Sequence, residues 1–225
     1  QLYKQMMVGV FERVFTTGNV FRAEKHATSR HLNEYTSIDA EIGFIQDHTD
    51  IMRIETGLIR FLVTRLKERC ADEFRALGAS IPTVPAAGDI FPHLTLKQAQ
   101  QLITEATGVD KTSADDLDPE DERWLCEYAL HEHGSDFIFI THFPFTKRPF
   151  YTALDDEDQR YTKSFDLLFR GVEITTGGQR RHTYEAVAEG AQQKGIDPAK
   201  FAFFAQAFRY GMPPHGGWGM GLERL

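Results

Sequence analysis

The sequence predicts an α+β fold in which a largely antiparallel sheet is flanked by helices. The segment Glu34–Ile45 alternates apolar and polar side chains with a period of two, which is typical of a strand with one buried face. Residues 49–78 carry apolar side chains at a spacing near 3.6, which is typical of an amphipathic helix. Other strand-like runs are interleaved with helical segments, and this order favours a mixed sheet with helices around it.

The N-terminal part is predicted to begin with a helix, followed by an antiparallel hairpin with a polar loop. These elements are, in order, a helix at residues 2–13, a strand Val14–Thr16, a turn at Gly18 and Asn19, a strand Val20–Glu24, a loop Lys25–Leu32 and the strand Glu34–Ile45. By the period of two, Arg22 and Glu24 share one face of their strand, and Asp39 and Glu41 share the polar face of the next. Simple burial does not explain a charged face of this kind.

Beyond the helix at 49–78, the pattern predicts a loop and then alternating helices and strands. In order these are a loop Ala79–Pro92, a helix capped by Thr95 and extending through Ala106, a solvated acidic run Asp115–Glu122, a strand Asp136–Thr141, a strand Ser164–Ile174, a turn Thr175–Gly178, and helices at about 183–193 and 198–210. Neither a repeat nor a domain break is visible, so residues 1–225 are predicted to form one domain.

Composition excludes several classes of protein. Hydrophobic residues make up 41% of the 225 residues, which is enough for a sizeable core and argues against disorder. The net charge of −8 is unlike that of a DNA-coating or membrane-surface protein, so we expect no DNA partner. No apolar run approaches ~18 residues, and no signal peptide is visible, so we expect no membrane span and a cytoplasmic location. Cys70 and Cys126 lack CxxC neighbours and fit a reducing compartment.

The glycine-rich C-terminal string is the most specific feature of the sequence. Pro-Pro-His-Gly-Gly is followed within a few residues by Gly-Leu-Glu-Arg, and the four glycines leave bare backbone at 216, 217, 219 and 221. A flat base or a phosphate can approach such backbone closely. Arg224, in the helix predicted to begin here, can supply a fixed charge for a phosphate. The string therefore indicates a nucleotide site more strongly than an ordinary turn.

Two further sets of polar residues support a site for a nucleotide and a metal. Arg22 can donate two hydrogen bonds to a phosphate or a carboxylate, and Glu24 can accept from an adenine amino group, although an isolated pair of this kind would be a surface ion pair. Asp166 and Glu173 provide the hard oxygen ligands that Mg²⁺ prefers, although a solvated strand edge would also explain them. His131 and His133 lack partners at ligand spacing, so no zinc site is predicted.

These strings resemble the class II aminoacyl-tRNA synthetases, and in particular the aspartyl-tRNA synthetases of the archaeal/eukaryotic-like type. The matching pieces are Gln1–Lys4, Phe21–Glu24, Arg30–Glu34, Ser164–Leu168, Glu173–Arg180 and Gly211–Leu225. The second and third class motifs are present, whereas the first motif and the anticodon-binding barrel are absent, so we expect a partial catalytic domain. Residues 76–125 are poorly diagnostic.

The resemblance implies the class II catalytic fold and a two-step ligase. Aspartate attacks the α-phosphorus of ATP to give aspartyl-adenylate and pyrophosphate, and the aspartyl group then passes to the terminal ribose of tRNA. Such chemistry depends on positioning and on neutralisation of charge. The implied cofactors are ATP, as a substrate, and Mg²⁺. The implied partners are L-aspartate, tRNA and a second copy of the intact protein, as a homodimer.

Site residues are carried over by motif. Arg22 and Arg224 are implied as the catalytic residues, on the α- and γ-phosphates. The resemblance implies that ATP is bound by Arg22, Glu24, Arg30, His31, Leu32, Glu173, Gly221, Leu222, Glu223 and Arg224. It implies that aspartate is bound by Gln1, Lys4, Arg22, Asp39, Thr176, Arg180 and His215. It implies that the metal is held by Asp166, Glu173 and Thr176.

Lys4 is the residue that favours aspartate over asparagine. A buried negative side chain requires cationic partners, and related asparaginyl-tRNA synthetases generally lack this lysine. On its own, a lysine in this position would be a solvated side chain, and His215 could be a turn residue. The alternatives are an asparaginyl-tRNA synthetase, an adenylate-forming paralogue, or a truncated module that binds without catalysis. Whether charging is restricted to tRNA-Asp cannot be predicted from this domain.

Overall fold

The structure is a computed structural model, and it describes residues 1–23, 32–86 and 88–225. These residues divide into two compact units. The first unit comprises Gln1–Ile51, His142–Asp166 and Ile174–Leu225, and the second comprises Met52–Thr141 and Leu167–Glu173. The sequence alone predicts a single domain without a break.

The described residues form α-helices, β-strands and short 3₁₀ segments. The helices are α1 (Leu2–Phe11), α2 (His48–Arg69), α3 (Ala71–Leu77), α4 (Leu96–Thr107), α5 (Pro119–His133), α6 (Tyr184–Gln193) and α7 (Ala202–Arg209). The strands are β1 (Arg13–Phe21), β2 (Glu34–Gly43), β3 (His93–Thr95), β4 (Phe137–Thr141), β5 (Ser164–Phe169), β6 (Val172–Gln179) and β7 (His215–Gly221). The 3₁₀ segments are Phe145–Lys147, Pro198–Phe201 and Leu222–Arg224.

The strands form a mixed sheet in the order β1-β2-β7-β6-β5-β4-β3. In the first unit, β1 with β2, β2 with β7 and β6 with β7 are antiparallel. In the second unit, β3 runs parallel to β4. The predicted α+β class, with a sheet flanked by helices, is therefore confirmed. None of the helices among the described residues combines the length and the apolar character needed to cross a membrane.

The predicted turn at Gly18 and Asn19 is wrong, because both residues lie inside one continuous strand. Gly18 pairs with Ser37, and Asn19 pairs with Thr36. The Asn19 side chain donates a hydrogen bond across the strands to Glu34 Oε1 at 2.8 Å. Pairing with β2 along the whole length of β1 thus overrides the local preference of Gly-Asn for a turn.

The predicted strand Ser164–Ile174 is also wrong, because it is two strands joined at Arg170 and Gly171. Both residues have positive φ, 48° and 83°, as a tight connection requires. The predicted turn Thr175–Gly178 lies within β6, paired with β7. The glycine at 177 serves a close approach, since a Cβ atom there would lie 2.3 Å from Phe165 Cζ.

Two helical predictions need correction, and one is confirmed. The helix predicted at 49–78 is interrupted at Cys70, which separates α2 from α3. Thr95 caps α4 as predicted, with a capping box that it forms with Gln98. The acidic run Asp115–Glu122 is not simply solvated: Asp118 is the N-cap of α5, a helix that the sequence analysis did not assign.

Helix α1 places two polar residues, Lys4 and Gln5, next to the sheet in the first unit. Its apolar anchor is Val8, which is fully buried, and Leu2 packs against a cluster that contains Phe204 and Phe208 of α7. Gln5 is fully buried on the same helix. Helical spacing places Lys4 on this inward side, next to the sheet.

Candidate active site

One face of the sheet in the first unit carries a row of polar side chains, which we call the polar face. Its members on β2 are Tyr35, Ser37, Asp39 and Glu41. Opposite them on β7 lie glycines, in the pairs Ser37 with Gly221, Asp39 with Gly219 and Glu41 with Gly217. Thr176 of β6 pairs with Gly219 and so shares the face. Bare backbone therefore borders the row of polar side chains.

Two cations and two carboxylates alternate on this face, and we call Lys4, Asp39, Glu41 and Arg180 the charge cluster. Lys4 Nζ lies 2.9 Å from Asp39 Oδ2 and 3.7 Å from Glu41 Oε2. Arg180 Nε donates to Glu41 Oε1 at 2.9 Å, and its Nη2 donates to the Gly217 carbonyl at 3.0 Å. Lys4 and Arg180, which the sequence analysis placed in one site, are thus brought together through Glu41.

The charge cluster keeps its carboxylates ionised despite burial. Burial alone would raise the pKa of Glu41, whose side chain is fully buried, but Arg180 and Lys4 outweigh it and hold that pKa below its ordinary value. Burial opposes ionisation of Asp39 in the same way, and Lys4 together with a hydrogen bond from Ser37 lowers its pKa. Asp39 and Glu41 are therefore both ionised at neutral pH.

Gln1 and His215 flank the charge cluster. Gln1 Nε2 donates to Glu41 Oε2 at 3.4 Å. His215 is fully buried, with Nε2 at 2.9 Å from Gln5 Nε2 and Nδ1 at 2.8 Å from the Pro213 carbonyl. Burial lowers the pKa of His215, so the imidazole is neutral at pH 7. Both ring nitrogens are engaged within the protein.

Arg22 and Arg224, from opposite ends of the chain, lie beside the same small group of residues. The Arg22 guanidinium carbon is 5.3 Å from the centre of the Tyr35 ring. A Cβ atom on Gly221 would lie 3.9 Å from Tyr35 Cδ2 and 3.9 Å from Arg224 Cδ. Glu223 Oε1 accepts a hydrogen bond from the Thr36 backbone at 2.8 Å, which ties this segment to β2. Both guanidinium groups are exposed and suited to bind an anion there.

The residues predicted to hold a metal are Asp166, Glu173 and Thr176. Asp166 accepts a 2.6 Å hydrogen bond from Arg148, and both side chains are about nine-tenths buried. Glu173, near the start of β6, belongs to the second unit. Thr176, further along β6, lies on the polar face in the first unit. Two carboxylates and a hydroxyl are donors that fit Mg²⁺, which usually also binds substrate phosphates. Within the described ranges, no group of three or more His, Cys, Asp or Glu side chains is arranged to hold a metal alone.

Three predicted ATP ligands, Glu24, Arg30 and His31, lie outside the described residues. Leu32 is described, at the start of the segment that enters β2, and is partly exposed. Leu222 and Glu223 lie in the 3₁₀ segment after β7, where both are exposed.

Sequence reasoning missed two residues that hold the site together. Glu41 was recognised as part of a charged face, yet its position two residues after Asp39 could have assigned it to the same site as Asp39. Gln5 was overlooked, although positions 1, 4, 5 and 8 lie on one side of a helix. The pairing of Arg148 with Asp166 was not predicted, because it joins segments that the sequence does not relate.

Comparisons with known proteins identify the family of the chain. The family model for tRNA synthetases class II (D, K and N) matches residues 1–225. An aspartate–tRNA(Asp/Asn) ligase from Thermus thermophilus is 50% identical over 225 residues, which cover 100% of this chain and 52% of the relative. The chain therefore spans about half the length of the curated relatives that it matches.

Solved structures are similar over the whole chain. An aspartyl tRNA synthetase from Entamoeba histolytica has a TM-score of 0.90 and 36% sequence identity, over 100% of this chain and 46% of that one. An asparaginyl-tRNA synthetase from Pyrococcus horikoshii, complexed with asparaginyl-adenylate, has a TM-score of 0.89 and 30% identity, over 100% of this chain and 50% of that one.

Proposed function

The chain belongs to the class II tRNA synthetases of the D, K and N group, and from that premise we propose that it carries the catalytic site of an aspartate–tRNA ligase. The observation that carries the proposal is the charge cluster. Lys4 and Arg180 lie on either side of the buried Glu41, with Asp39 beside Lys4. L-Aspartate has an ammonium group within a few ångströms of an acidic side chain, and the alternating signs of the cluster complement both.

In this proposal, each end of the amino acid has its own partners. The side-chain carboxylate shares Lys4 and Arg180 with the protein's own carboxylates, together with His215. The ammonium group is bound near Asp39, with Gln1 and Thr176 beside it. An amide in place of the acid would leave the two cations with less counter-charge, which is costly in a buried site.

Activation of aspartate is a displacement at phosphorus. A carboxylate oxygen of aspartate attacks the α-phosphorus of ATP, the bond to the β-phosphate oxygen breaks, and pyrophosphate leaves. Arg22 neutralises charge on the α-phosphate and the attacking carboxylate, and Arg224 binds the γ-phosphate, with Gly221, Leu222 and Glu223 around the nucleotide. Glu24, Arg30, His31 and Leu32 complete the proposed ATP site.

The second step transfers the amino acid to RNA. A ribose hydroxyl at the 3′ end of tRNA attacks the acyl carbon of aspartyl-adenylate, and AMP leaves. Asp166, Glu173 and Thr176 would hold the Mg²⁺ that the class uses, which supplies neutralisation of phosphate charge when bound. The proposal includes a homodimer of the intact protein and a cytoplasmic location, as the class resemblance implies.

Amino-acid-dependent pyrophosphate exchange, with and without tRNA, tests the function. We expect exchange with L-aspartate, with L-asparagine at least about a hundredfold less effective, as the loss of counter-charge at two buried cations implies. We also expect transfer to tRNA-Asp; parallel assays with tRNA-Asn then show whether charging is discriminating. Exchange driven by asparagine would support the alternative of an asparaginyl-tRNA synthetase, the kind of enzyme to which the similar Pyrococcus horikoshii structure belongs. Adenylate formation without transfer would indicate a paralogue, and ATP binding without exchange a binding module.

A further inference from the structure

Gln5 follows Lys4 of the charge cluster on the inward side of α1. Its side chain is fully buried, and its Nε2 is 2.9 Å from His215 Nε2. The other ring nitrogen of His215 is 2.8 Å from the Pro213 carbonyl. The imidazole is therefore held at both ends, by one side-chain amide and one backbone carbonyl.

These two contacts determine which ring nitrogen carries the proton. A carbonyl oxygen only accepts hydrogen bonds, so Nδ1 of His215 must be the donor to Pro213. In the observed amide orientation Gln5 donates to Nε2, which must then be unprotonated. Only the neutral imidazole with its proton on Nδ1 satisfies both contacts.

A charged imidazole would require a different amide orientation. With protons on both nitrogens, Nε2 would donate, and Gln5 would have to turn its carbonyl oxygen, Oε1, toward the ring. Among the described residues, Gln5 Oε1 is buried and makes no hydrogen bond, so this rotation would break no bond at that oxygen. The charge of His215 and the orientation of Gln5 are thus coupled.

Charges of both signs face His215 from several elements. Glu41 of β2 favours the charged ring, whereas Arg180 and His182, after β6, oppose it. From α1, Lys4 pairs with Glu41 and reduces its effect. From α7, the Phe208 ring lies 6.2 Å away and offers no charge. Burial is the largest cause and lowers the pKa of His215, and donation from Gln5 to Nε2 favours the neutral ring in the same direction.

We propose that Gln5 is a positioning residue that holds His215 as the neutral, Nδ1-protonated imidazole, so that Lys4 and Arg180 alone supply cationic charge to the side-chain carboxylate of the acidic substrate. The protein thereby fixes the number of cations in its selecting site. The role of the neutral ring in substrate selection rests on the proposed function, whereas its tautomer does not.

Side-chain ¹⁵N spectra of the intact protein, labelled at histidine and without substrate, test the tautomer. We expect His215 to show a protonated Nδ1 and an unprotonated Nε2 from about pH 6 to pH 8. Gln5→Glu should give a doubly protonated ring at pH 7, because its carboxylate accepts from Nε2–H. Gln5→Met, which keeps the length without an N–H, should keep the proton on Nδ1, where Pro213 still accepts it, but should take up the second proton at a higher pH than the wild type, because Nε2 no longer accepts a hydrogen bond. The signal of exposed His131 serves as the control and should not change.

A kinetic measurement separates positioning from a merely structural role. In Gln5→Glu, loss of the His215 proton leaves an unpaired negative charge beside the charge cluster. The KM for aspartate should then rise by about tenfold between about pH 6 and pH 8, the size of a one-unit pKa effect. The KM for ATP should keep its wild-type pH dependence.

An Nε2-protonated or doubly protonated His215 in the wild type at pH 7 would overturn the proposal, even if no variant folds. An unchanged His215 signal in Gln5→Glu would overturn it as well. Neither result would touch the ligase assignment, because the spectra need no substrate. Conversely, a wild type that fails to activate aspartate would remove the proposed function and leave the tautomer result standing.

Discussion

Lys4, Asp39, Glu41 and Arg180 show how a buried site can remain fully charged. Each carboxylate has a cation within hydrogen-bonding or ion-pair distance, and Glu41 is shared by Arg180 and Lys4. Removing one member leaves another buried and unpaired, which typically costs ~3–5 kcal/mol, more than the pair itself contributes. The cluster is therefore better explained by binding than by stability. An apolar set of similar volume would fold as well or better.

Lys4→Met tests the binding role directly. We expect the KM for aspartate in pyrophosphate exchange to rise by about a hundredfold, because the acidic side chain loses one of two cations. The KM for ATP should change by less than about threefold, since Arg22 and Arg224, the proposed phosphate-binding residues, lie near Tyr35 and Gly221 and outside the charge cluster. Steady-state kinetics with each substrate varied in turn would measure both.

Lys163→Met is the matched control. Lys163 is mostly buried and makes a 2.6 Å ion pair with Asp156 in the first unit, but it lies outside the charge cluster. It should leave both KM values near those of the wild type. An equal rise of the KM for aspartate in both variants would show that Lys4 acts through general stability and not through recognition.

Arg224→Gln tests whether this single residue contributes to ATP binding. The side chain is exposed and lies near Gly221 and Tyr35, so its loss should cost little stability. We expect the KM for ATP to rise by about tenfold or more, as the loss of a charge-assisted hydrogen bond to phosphate implies. Arg160→Gln, another exposed arginine of the first unit, is the control. A wild-type KM for ATP in Arg224→Gln would remove this residue from the site.

At the scale of elements, β7 explains why a glycine-rich segment lies in the middle of a sheet. A Cβ atom at Gly217 would lie 2.0 Å from the Ala40 carbonyl, and one at Gly216 would lie 2.7 Å from the Gly178 carbonyl. The absence of side chains therefore permits close contact with both neighbouring strands. It also leaves the polar face open beside Asp39, where a Cβ atom at Gly219 would lie 3.3 Å from Oδ1.

Gly217→Ala and Gly18→Ala form a matched pair of strand variants. The first places a methyl group against backbone and the Glu41 carboxylate, so we expect a loss of at least ~3 kcal/mol or failure to fold. The second adds a methyl group on β1 where no atom lies within 4 Å, so stability should stay within about 0.5 kcal/mol. Urea-induced unfolding measures both. Similar stabilities would contradict the close packing of β7.

The helices and strands also show which parts of the secondary structure could be predicted from the sequence. Period two in β2 and the helical spacing of α1 are local signals, and both predictions agree with the structure. Gly18-Asn19 and Thr175–Gly178 were predicted as turns because glycine most often marks a turn. In the structure, pairing with distant strands decides their conformation. The pairing of Glu41 with Arg180, 139 residues apart, leaves no local signal either.

For the molecule as a whole, acid should remove stability in two steps with different causes. Asp39 and Glu41 have pKa values lowered by their cationic partners, so the stability they contribute is present above the ordinary carboxyl pKa and is lost only below about pH 4. A buried histidine whose pKa is lowered reduces stability at a higher pH than these carboxylates do. Below the ordinary pKa of histidine, the imidazole is protonated in the unfolded chain but stays neutral in the folded chain. The free energy of unfolding therefore falls as soon as the pH drops below that pKa.

His48 is the residue we expect to cause the first step. Burial, together with His142 at 5.2 Å between ring centres, lowers the pKa of His48 from 6.5 to about 4. Asp47 and Asp155 oppose the shift and Lys163 adds to it. His48 also begins α2, where the helix dipole disfavours a cation. A difference of this size corresponds to about 3 kcal/mol, lost progressively between about pH 6.5 and pH 4.

His48→Phe should remove the contribution of His48 to this first step while keeping the ring contact with His142. Urea unfolding at fixed ionic strength, followed through buried Trp218 in a Trp124→Phe background, reports on the first unit. Between about pH 6.5 and pH 4, we expect the free energy of unfolding of the parent to fall by about 3 kcal/mol more than that of His48→Phe, whose remaining loss comes from groups such as the buried His215. His131→Phe, an exposed site, should follow the parent. If His48→Phe lost as much stability as the parent over this range, the proton-linked instability would have to arise from other groups, because the variant no longer contains the His48 imidazole.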